Sequence, residues 1–131
     1  MNILCRWRGL AVLATLLLGA AAQAIELRPV TVAEGLERPW ALAFLPDGRM
    51  LVTEREGRMR IVDGRGRVSA PLAGLPAISV GNQCGLLDVV VDPRFADNQR
   101  IFFSFAEPAA GGSGNGTAVA SARLVGDALV D

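Results

Sequence analysis

Short apolar runs, each ended by a turn sequence, are the feature that most restricts how this 131-residue chain can fold. Residues 40–45 form one compact run that ends at Pro46-Asp47-Gly48, and residues 50–53 resume directly after it. Runs of this length bounded by Pro, Asp and Gly are typical of β-strands joined by tight turns. The sequence therefore predicts an all-β fold.

The same pattern recurs once along the chain. A second compact strand, 86–91, is ended by Asp92-Pro93, so that Pro46 and Pro93 lie 47 residues apart. That spacing is close to the roughly 40 to 50 residues of one propeller blade. The remaining predicted strands are 58–62 and 68–72 in the first unit and 100–106, 118–124 and a broken-off last strand at 126–131 in the second. We predict about two blades of a larger β-propeller; a two-sheet sandwich is the competing architecture.

The N-terminus has the three regions of a secretory signal. Arg6 and Arg8 precede an uninterrupted apolar and small-residue stretch at 10–22, and Ala22-Gln23-Ala24 provides small residues for cleavage. Thirteen residues rise about 20 Å as a helix, which is too short to span a bilayer core of about 30 Å. We therefore predict a signal peptide at 1–24, a propeller portion at 25–131, and a periplasmic or secreted protein with no stable membrane anchor after cleavage.

Composition excludes several chemistries. The chain has no His, so it supplies no imidazole base, Ser/His/Asp triad or HExxH zinc site. Thirteen basic residues balance thirteen acidic ones, which argues against nucleic acid as a partner. Removal of Cys5 with the signal would leave Cys84 as a lone thiol, for which burial is the simplest expectation.

Several segments resemble a known family in their order along the chain. EGLERPWALAFLPDG at 34–48 is followed by LVTER at 51–55, QCGLLD at 83–88 and DPRF at 92–95. This combination resembles the start of the soluble PQQ-dependent sugar dehydrogenases, the aldose sugar dehydrogenase branch of the glucose/sorbosone dehydrogenase family. The resemblance extends from about residue 30 to 126.

The resemblance implies a six-bladed propeller that binds pyrroloquinoline quinone (PQQ) and Ca²⁺ and oxidises an aldose to its lactone, with a separate electron acceptor. Gln83 matches an active-site Gln of the family, where an amide can both donate and accept hydrogen bonds. Cys84 stands where the family usually has Gly, which puts a side chain into a loop for which the resemblance implies glycine's conformational freedom. The resemblance implies that the catalytic His, the cationic residues that hold the PQQ carboxylates and the Ca²⁺ ligands lie beyond Asp131, so Gln83 is the substrate- or cofactor-binding residue assigned here and we expect this chain alone to be inactive.

Other features are assigned structural roles. The Gly-rich run 111–116 lacks the Lys of a phosphate-binding loop and is predicted to connect strands. Asp88, Asp92 and Asp97 lack calcium-loop spacing and are predicted at turns and strand ends, so no metal ligand is assigned in this chain. The alternating charges at 54–60 are interpreted as a solvated sheet surface, and Trp40 as a core residue.

Two further functions fit the same pattern. A non-catalytic exported propeller that binds a ligand or protein is the main alternative. A lactonase-type propeller hydrolase, dependent on Ca²⁺ and independent of PQQ, is the weaker one.

Overall fold

The computed structural model describes residues 26–130, so the predicted signal peptide and Cys5 lie outside the described residues. The described strands all belong to one compact unit, Thr31–Asp131. In chain order the elements are β1 (Pro39–Phe44), β2 (Met50–Glu54), β3 (Arg58–Val62), β4 (Leu86–Val91), the short helix α1 (Phe95–Asn98), β5 (Arg100–Pro108), β6 (Asn115–Val125) and β7 (Ala128–Val130). The predicted all-β fold is confirmed.

The first sheet is an antiparallel meander of β1, β2 and β3 in that order. Its first turn forms because Gly48 adopts a φ of 84° and donates its N–H to the carbonyl of Leu45 at 3.0 Å. Glycine adopts this left-handed backbone without steric cost. The apolar run and its turn sequence therefore form the hairpin that the sequence predicted.

The segment 68–72 does not form the regular fourth strand that was predicted. Ser69 and Leu72 each donate a backbone N–H to a β3 carbonyl at 2.8 Å, but the next residue, Ala73, bridges to β7 of the other sheet. The segment crosses from one sheet to the other within a few residues, so it cannot maintain a continuous ladder with β3. Local sequence pattern did not indicate this crossing.

The second sheet has the order β4, β5, β6, β7, with every neighbouring pair antiparallel. β5 and β6 form the longest ladder, from Arg100 opposite Arg123 to Pro108 opposite Asn115. The last strand, predicted around 126–131, is present as β7 at Ala128–Val130. The second sheet thus has the four strands of one blade.

The core lies between the two sheets, because alternate residues of their strands face each other. The residues of this core share almost complete burial: Leu45, Leu51, Met59, Ile61, Leu72, Leu86, Val89, Ile101, Phe103, Phe105, Ala122, Leu124 and Leu129. Thr53, fully buried, also connects the sheets by donating its hydroxyl to the carbonyl of Leu87 in β4 at 2.6 Å. One continuous core therefore joins the two predicted repeats.

Each sheet also carries apolar side chains on the face turned away from this core. On β1 these are Trp40, Leu42 and Phe44, and on the second sheet Val90, Phe102 and Val119. Trp40, which was predicted as a core residue, is 52% exposed in the described chain. Because successive side chains of a strand point to opposite faces of the sheet, the Trp40 ring lies on one face of β1 and the residues that contact β4 lie on the other.

Candidate active site

One end of the two sheets brings together the features that the sequence analysis singled out. β1 and β4 both begin at this end, and β2 and β5 both finish there. The residues 55–57, 78–85 and 109–114 connect strands at the same end. We call this the Gln83 end and define it by Trp40, Arg55, Gln83, Cys84 and Asn115.

Gln83 lies in a tight turn immediately before β4. The turn is closed by the N–H of Cys84, which donates to the carbonyl of Gly81 at 2.7 Å. Asn82 adopts a φ of 48° and Gly81 a φ of 135°, both in the left-handed region that Asn and Gly tolerate best. Gln83 itself is exposed, which leaves its amide accessible to a ligand.

Cys84 is half-buried, so the expectation of a buried thiol is wrong. Its Sγ lies 3.3 Å from Oδ1 of Asn115, whose Nδ2 is 3.4 Å from Oγ of Ser79. The positive-φ residues other than glycine in the described chain are Arg38, Asn82 and Gln99, so Cys84 does not need the backbone freedom of glycine. The turn thus accommodates the side chain at 84 that departs from the family pattern.

Gly85 is the position after Cys84 at which glycine is required. Its φ is 150°, and a Cβ there would overlap the carbonyl oxygen of Arg55. That same oxygen accepts a hydrogen bond from the N–H of Leu86 at 3.3 Å, and the carbonyl of Gly85 accepts one from Ala106 at 2.9 Å. The turn is therefore held at its C-terminal side between β2 and β5.

Arg55 was missed by sequence reasoning, which placed it on a solvated surface. Its guanidinium carbon lies 6.0 Å from the centre of the Trp40 ring, within the range of a cation–π contact. Its Cγ adjoins Gly85, so the side chain passes from the Gln83 turn across the first residues of β1. The signal in the sequence was weak, because nothing local distinguishes Arg55 from its charged neighbours.

A buried ion cluster supports the start of β1 beside this end. Glu54 is fully buried, and its carboxylate accepts hydrogen bonds from the N–H of Glu37 and from Nε of Arg58, both at 2.6 Å. Arg58 also binds the carboxylate of Glu37 at 2.7 Å, and Nη1 of Arg60 lies 3.6 Å from Glu54. The interpretation of 54–60 as a solvated surface is therefore wrong for Glu54.

The same contacts perturb the titration of the cluster. The hydrogen bond from Arg58 and then its positive charge lower the pKa of Glu37. Hydrogen bonds to Glu54 and then Glu37 raise the pKa of Arg58. Glu37 and Arg58 are thus each held in the charged form at neutral pH.

The opposite end of the sheets carries carboxylates that stabilise turns. Asp92 accepts the N–H of Arg94 at 2.7 Å, which lowers the pKa of Asp92. Asp63 accepts hydrogen bonds from the backbone N–H groups of Arg65 and Arg67, and its carboxylate also binds Nε of Arg67 at 2.7 Å. These bonds, above all the one from the backbone of Arg67, lower the pKa of Asp63 to about 2. The turn role predicted for Asp92 is confirmed.

Two absences apply to the part of the chain that the structure describes. Between residues 26 and 130, no group of three or more His, Cys, Asp or Glu side chains is arranged to hold a metal ion. In the same range, no helix is long and apolar enough to cross a membrane.

The Gly-rich run connects β5 to β6 as predicted, with Ala109 N–H donating to the carbonyl of Gly114 at 3.1 Å.

Comparison with known proteins decides the family. The model of the glucose/sorbosone dehydrogenase family matches residues 36–131. The chain belongs to this family. Over 93 aligned residues it is 47% identical to the aldose sugar dehydrogenase YliI of Escherichia coli K12. The aligned region covers 70% of this chain and 25% of that protein.

Solved structures agree with this assignment. A glucose dehydrogenase crystal structure is 43% identical with a TM-score of 0.73, over 78% of this chain and 30% of that one. The PQQ-bound aldose sugar dehydrogenase of Streptomyces coelicolor is 29% identical with a TM-score of 0.65, over 77% of this chain and 30% of its own. The two sheets are thus part of a β-propeller. The chain spans 25% and 27% of the lengths of the curated relatives it matches.

Proposed function

We propose that this chain is the N-terminal part, residues 25–131, of a PQQ-dependent dehydrogenase that oxidises aldoses at the anomeric carbon. The observation that best supports the proposal is the likeness of both sheets to the PQQ-bound aldose sugar dehydrogenase. The family match over residues 36–131 supports the same reaction class. The sugar substrate is inferred from the relatives and not from a pocket in this chain.

The proposed reaction balances as a two-electron oxidation. The anomeric C–H bond breaks, the hydroxyl on that carbon loses its proton, and the sugar becomes a lactone. PQQ, when bound, supplies the quinone that accepts the hydride, and a separate electron acceptor then reoxidises its reduced form. Because the chain contains no His, we place the general base in a part of the protein outside this chain.

Gln83 has the properties that this proposal requires of a ligand-binding residue. It is exposed on a turn that hydrogen bonds hold on both sides, so the position of its amide is restricted before a ligand arrives. An amide can donate to a quinone or sugar oxygen and accept from a sugar hydroxyl. We propose that Gln83 orients the sugar or the cofactor by these bonds.

The Ca²⁺ ion of the proposed enzyme needs ligands from outside the described residues. In the described residues no group of three or more acidic side chains is arranged to hold a metal ion, and the carboxylates of the opposite end are engaged in turns. Ca²⁺ requires six to eight oxygen ligands, most of them from carboxylates, carbonyls and water. We therefore place the Ca²⁺ ligands in another part of the protein.

We further propose that residues 1–24 are cleaved during export to the periplasm or medium. N-terminal sequencing of the protein recovered from the periplasm should begin at Ile25. Retention of residues 1–24 in that fraction would contradict the cleavage site, and recovery in the cytoplasm alone would contradict export.

Reconstitution of the full-length protein tests the function. With PQQ and Ca²⁺ it should reduce a dye when given aldoses, and the 131-residue chain alone should not. Gln83→Ala should lower kcat/KM by about tenfold or more, because a charged or polar ligand group would lose its partner. Asn98→Ala, at the opposite end, is the matched control and should leave the kinetics unchanged.

Two results would overturn the proposal. Absence of both dye reduction and PQQ binding across a broad panel of sugars would favour the non-catalytic propeller. Ca²⁺-dependent lactone hydrolysis without PQQ would favour the lactonase type.

A further inference from the structure

The side chain of Asn115 contacts the loop 79–85 on both sides of Gln83. Its Oδ1 accepts a hydrogen bond from Sγ of Cys84, the residue directly after Gln83, at 3.3 Å. Its Nδ2 donates to Oγ of Ser79 at 3.4 Å. An amide offers one acceptor and one donor group, and here each is used within the same loop. One side chain therefore links the two halves of the loop that carries Gln83.

The backbone fastens only the ends of this loop to the sheet. The N–H of Ser79 donates to the carbonyl of Ala106 in β5 at 2.8 Å, and the N–H of Ala106 donates to the carbonyl of Gly85 at 2.9 Å. Between these two anchors, the backbone bond in the described chain lies inside the turn itself, from Cys84 to Gly81 at 2.7 Å. The contact of the turn with β6 is therefore made through the side chain of Asn115.

Asn115 is itself held on a regular ladder. It is the first residue of β6 and lies opposite Pro108 of β5. Just before it, the carbonyl of Gly114 accepts the N–H of Ala109 at 3.1 Å, which closes the connection between the two strands. A group carried by a strand is positioned more precisely than one carried by a loop. The longest ladder of the structure therefore sets the position of the Asn115 amide.

From these contacts we propose that Asn115 is a positioning residue that holds Gln83 in place through Cys84. The inference rests on the proposed function, because it takes Gln83 as a ligand-binding residue. A restrained turn loses less conformational freedom when the Gln83 amide binds its ligand, and the ligand is bound more tightly as a result. The link is particular to this chain, because the glycine of the family pattern at 84 has no side chain to donate to Asn115.

Amide hydrogen exchange of residues 81–85 in the full-length apoprotein tests the restraint without cofactor or turnover. Asn115→Ala should speed exchange in this segment about fivefold, as expected for the net loss of about one hydrogen bond. Asn98→Ala is the matched control, because Asn98 accepts the N–H of Arg100 at 2.9 Å at the opposite end of the sheets. Its exchange in 81–85 should equal that of the wild type.

Two substitutions at Cys84 separate the hydrogen bond from packing. Cys84→Ala removes the thiol alone and should speed exchange in 81–85, though less than Asn115→Ala does. Cys84→Ser keeps a donor for Oδ1 of Asn115 and should stay within about twofold of the wild type. Equal exchange in Cys84→Ser and Cys84→Ala would show that the donor has no part in the restraint and would overturn the inference.

A double-mutant cycle with Gln83 tests whether the restraint serves the proposed reaction. In the full-length protein with PQQ and Ca²⁺, Asn115→Ala should lower kcat/KM for an aldose by about threefold or more. The same substitution in Gln83→Ala should have no further effect, because a contribution transmitted through the Gln83 amide is lost with that amide. General loosening of the structure would instead lower kcat/KM by the same factor in both backgrounds.

The outcomes separate this inference from the function on which it rests. If the wild type reduces no dye with any aldose, the proposed function fails and the inference fails with it. If the wild type is active and Asn115→Ala exchanges in 81–85 like the wild type, the inference alone is overturned. An equal loss of kcat/KM with and without Gln83 would also overturn it.

Discussion

Replacement of the buried carboxylate of Glu54 should destabilise the protein far more than replacement of Glu56, two residues later. Glu54 is fully buried and accepts two hydrogen bonds at 2.6 Å, from the N–H of Glu37 and from Arg58. Glu56 lies in the turn and pairs with Arg38, whose side chain is 67% exposed. The two positions therefore compare a buried ion pair with a surface one in the same turn.

The magnitude follows from what each substitution leaves behind. Breaking a buried ion pair costs about 3 to 5 kcal/mol when the remaining charge has no partner. Arg58 is 31% exposed and retains Glu37, so Glu54→Gln should lie below that range, at about 2 kcal/mol. An exposed pair contributes about 0 to 1 kcal/mol, which is the expected cost of Glu56→Gln.

Urea denaturation followed by circular dichroism measures both variants against the wild type. Salt provides a second comparison, because about 1 M NaCl screens an exposed pair and leaves a buried one largely unaffected. The deficit of Glu54→Gln should persist at high salt, whereas any deficit of Glu56→Gln should disappear. Equal shifts in the two variants, or a deficit at Glu54 that salt abolishes, would refute the assignment of Glu54 as a buried structural charge.

Two further perturbations test the backbone and the acidic turn. Gly85→Ala should lower the thermal midpoint, because its Cβ would overlap the carbonyl oxygen of Arg55 at a φ of 150°. Gly111→Ala, with open space around it, is the control, and identical thermal midpoints for the two variants would contradict the geometry. The pKa of Asp63 in the folded protein, about 2, lies below the ordinary value of 3.8. The ionised carboxylate therefore stabilises the fold fully above about pH 4, and this stabilisation is lost as the pH falls through 2. Asp63→Asn should therefore melt below the wild type at about pH 6 and converge with it near pH 2; a gap that does not narrow on acidification would contradict the role of the charge.

The sequence predicted the hairpins well because their determinants are local. Gly48 closes the first turn through its own left-handed backbone, and the apolar runs on either side alternate as strands do. It failed at 68–72, where the backbone leaves β3 to reach β7. A crossing between sheets depends on where the second sheet lies, which no short pattern encodes.

The candidate site shows the same division between local and distant causes. Gln83 was found through a resemblance in a short motif, and its turn depends on Asn82 and Gly81 beside it. The contacts of Arg55 were not predicted, because they join it to Trp40, 15 positions earlier, and to Gly85, 30 positions later. Neither neighbour is visible in the charge pattern around Arg55.

The sequence by itself determined the all-β class and the recurring strand-turn unit. These follow from side-chain alternation and from backbone angles that Gly and Asn adopt most easily. The tertiary structure alone decided that Glu54 is buried, that Trp40 faces outward and that Arg55 lies beside Gly85. Burial and pairing of a charge depend on residues that only packing of the two sheets brings together, so they cannot be inferred from the sequence around it.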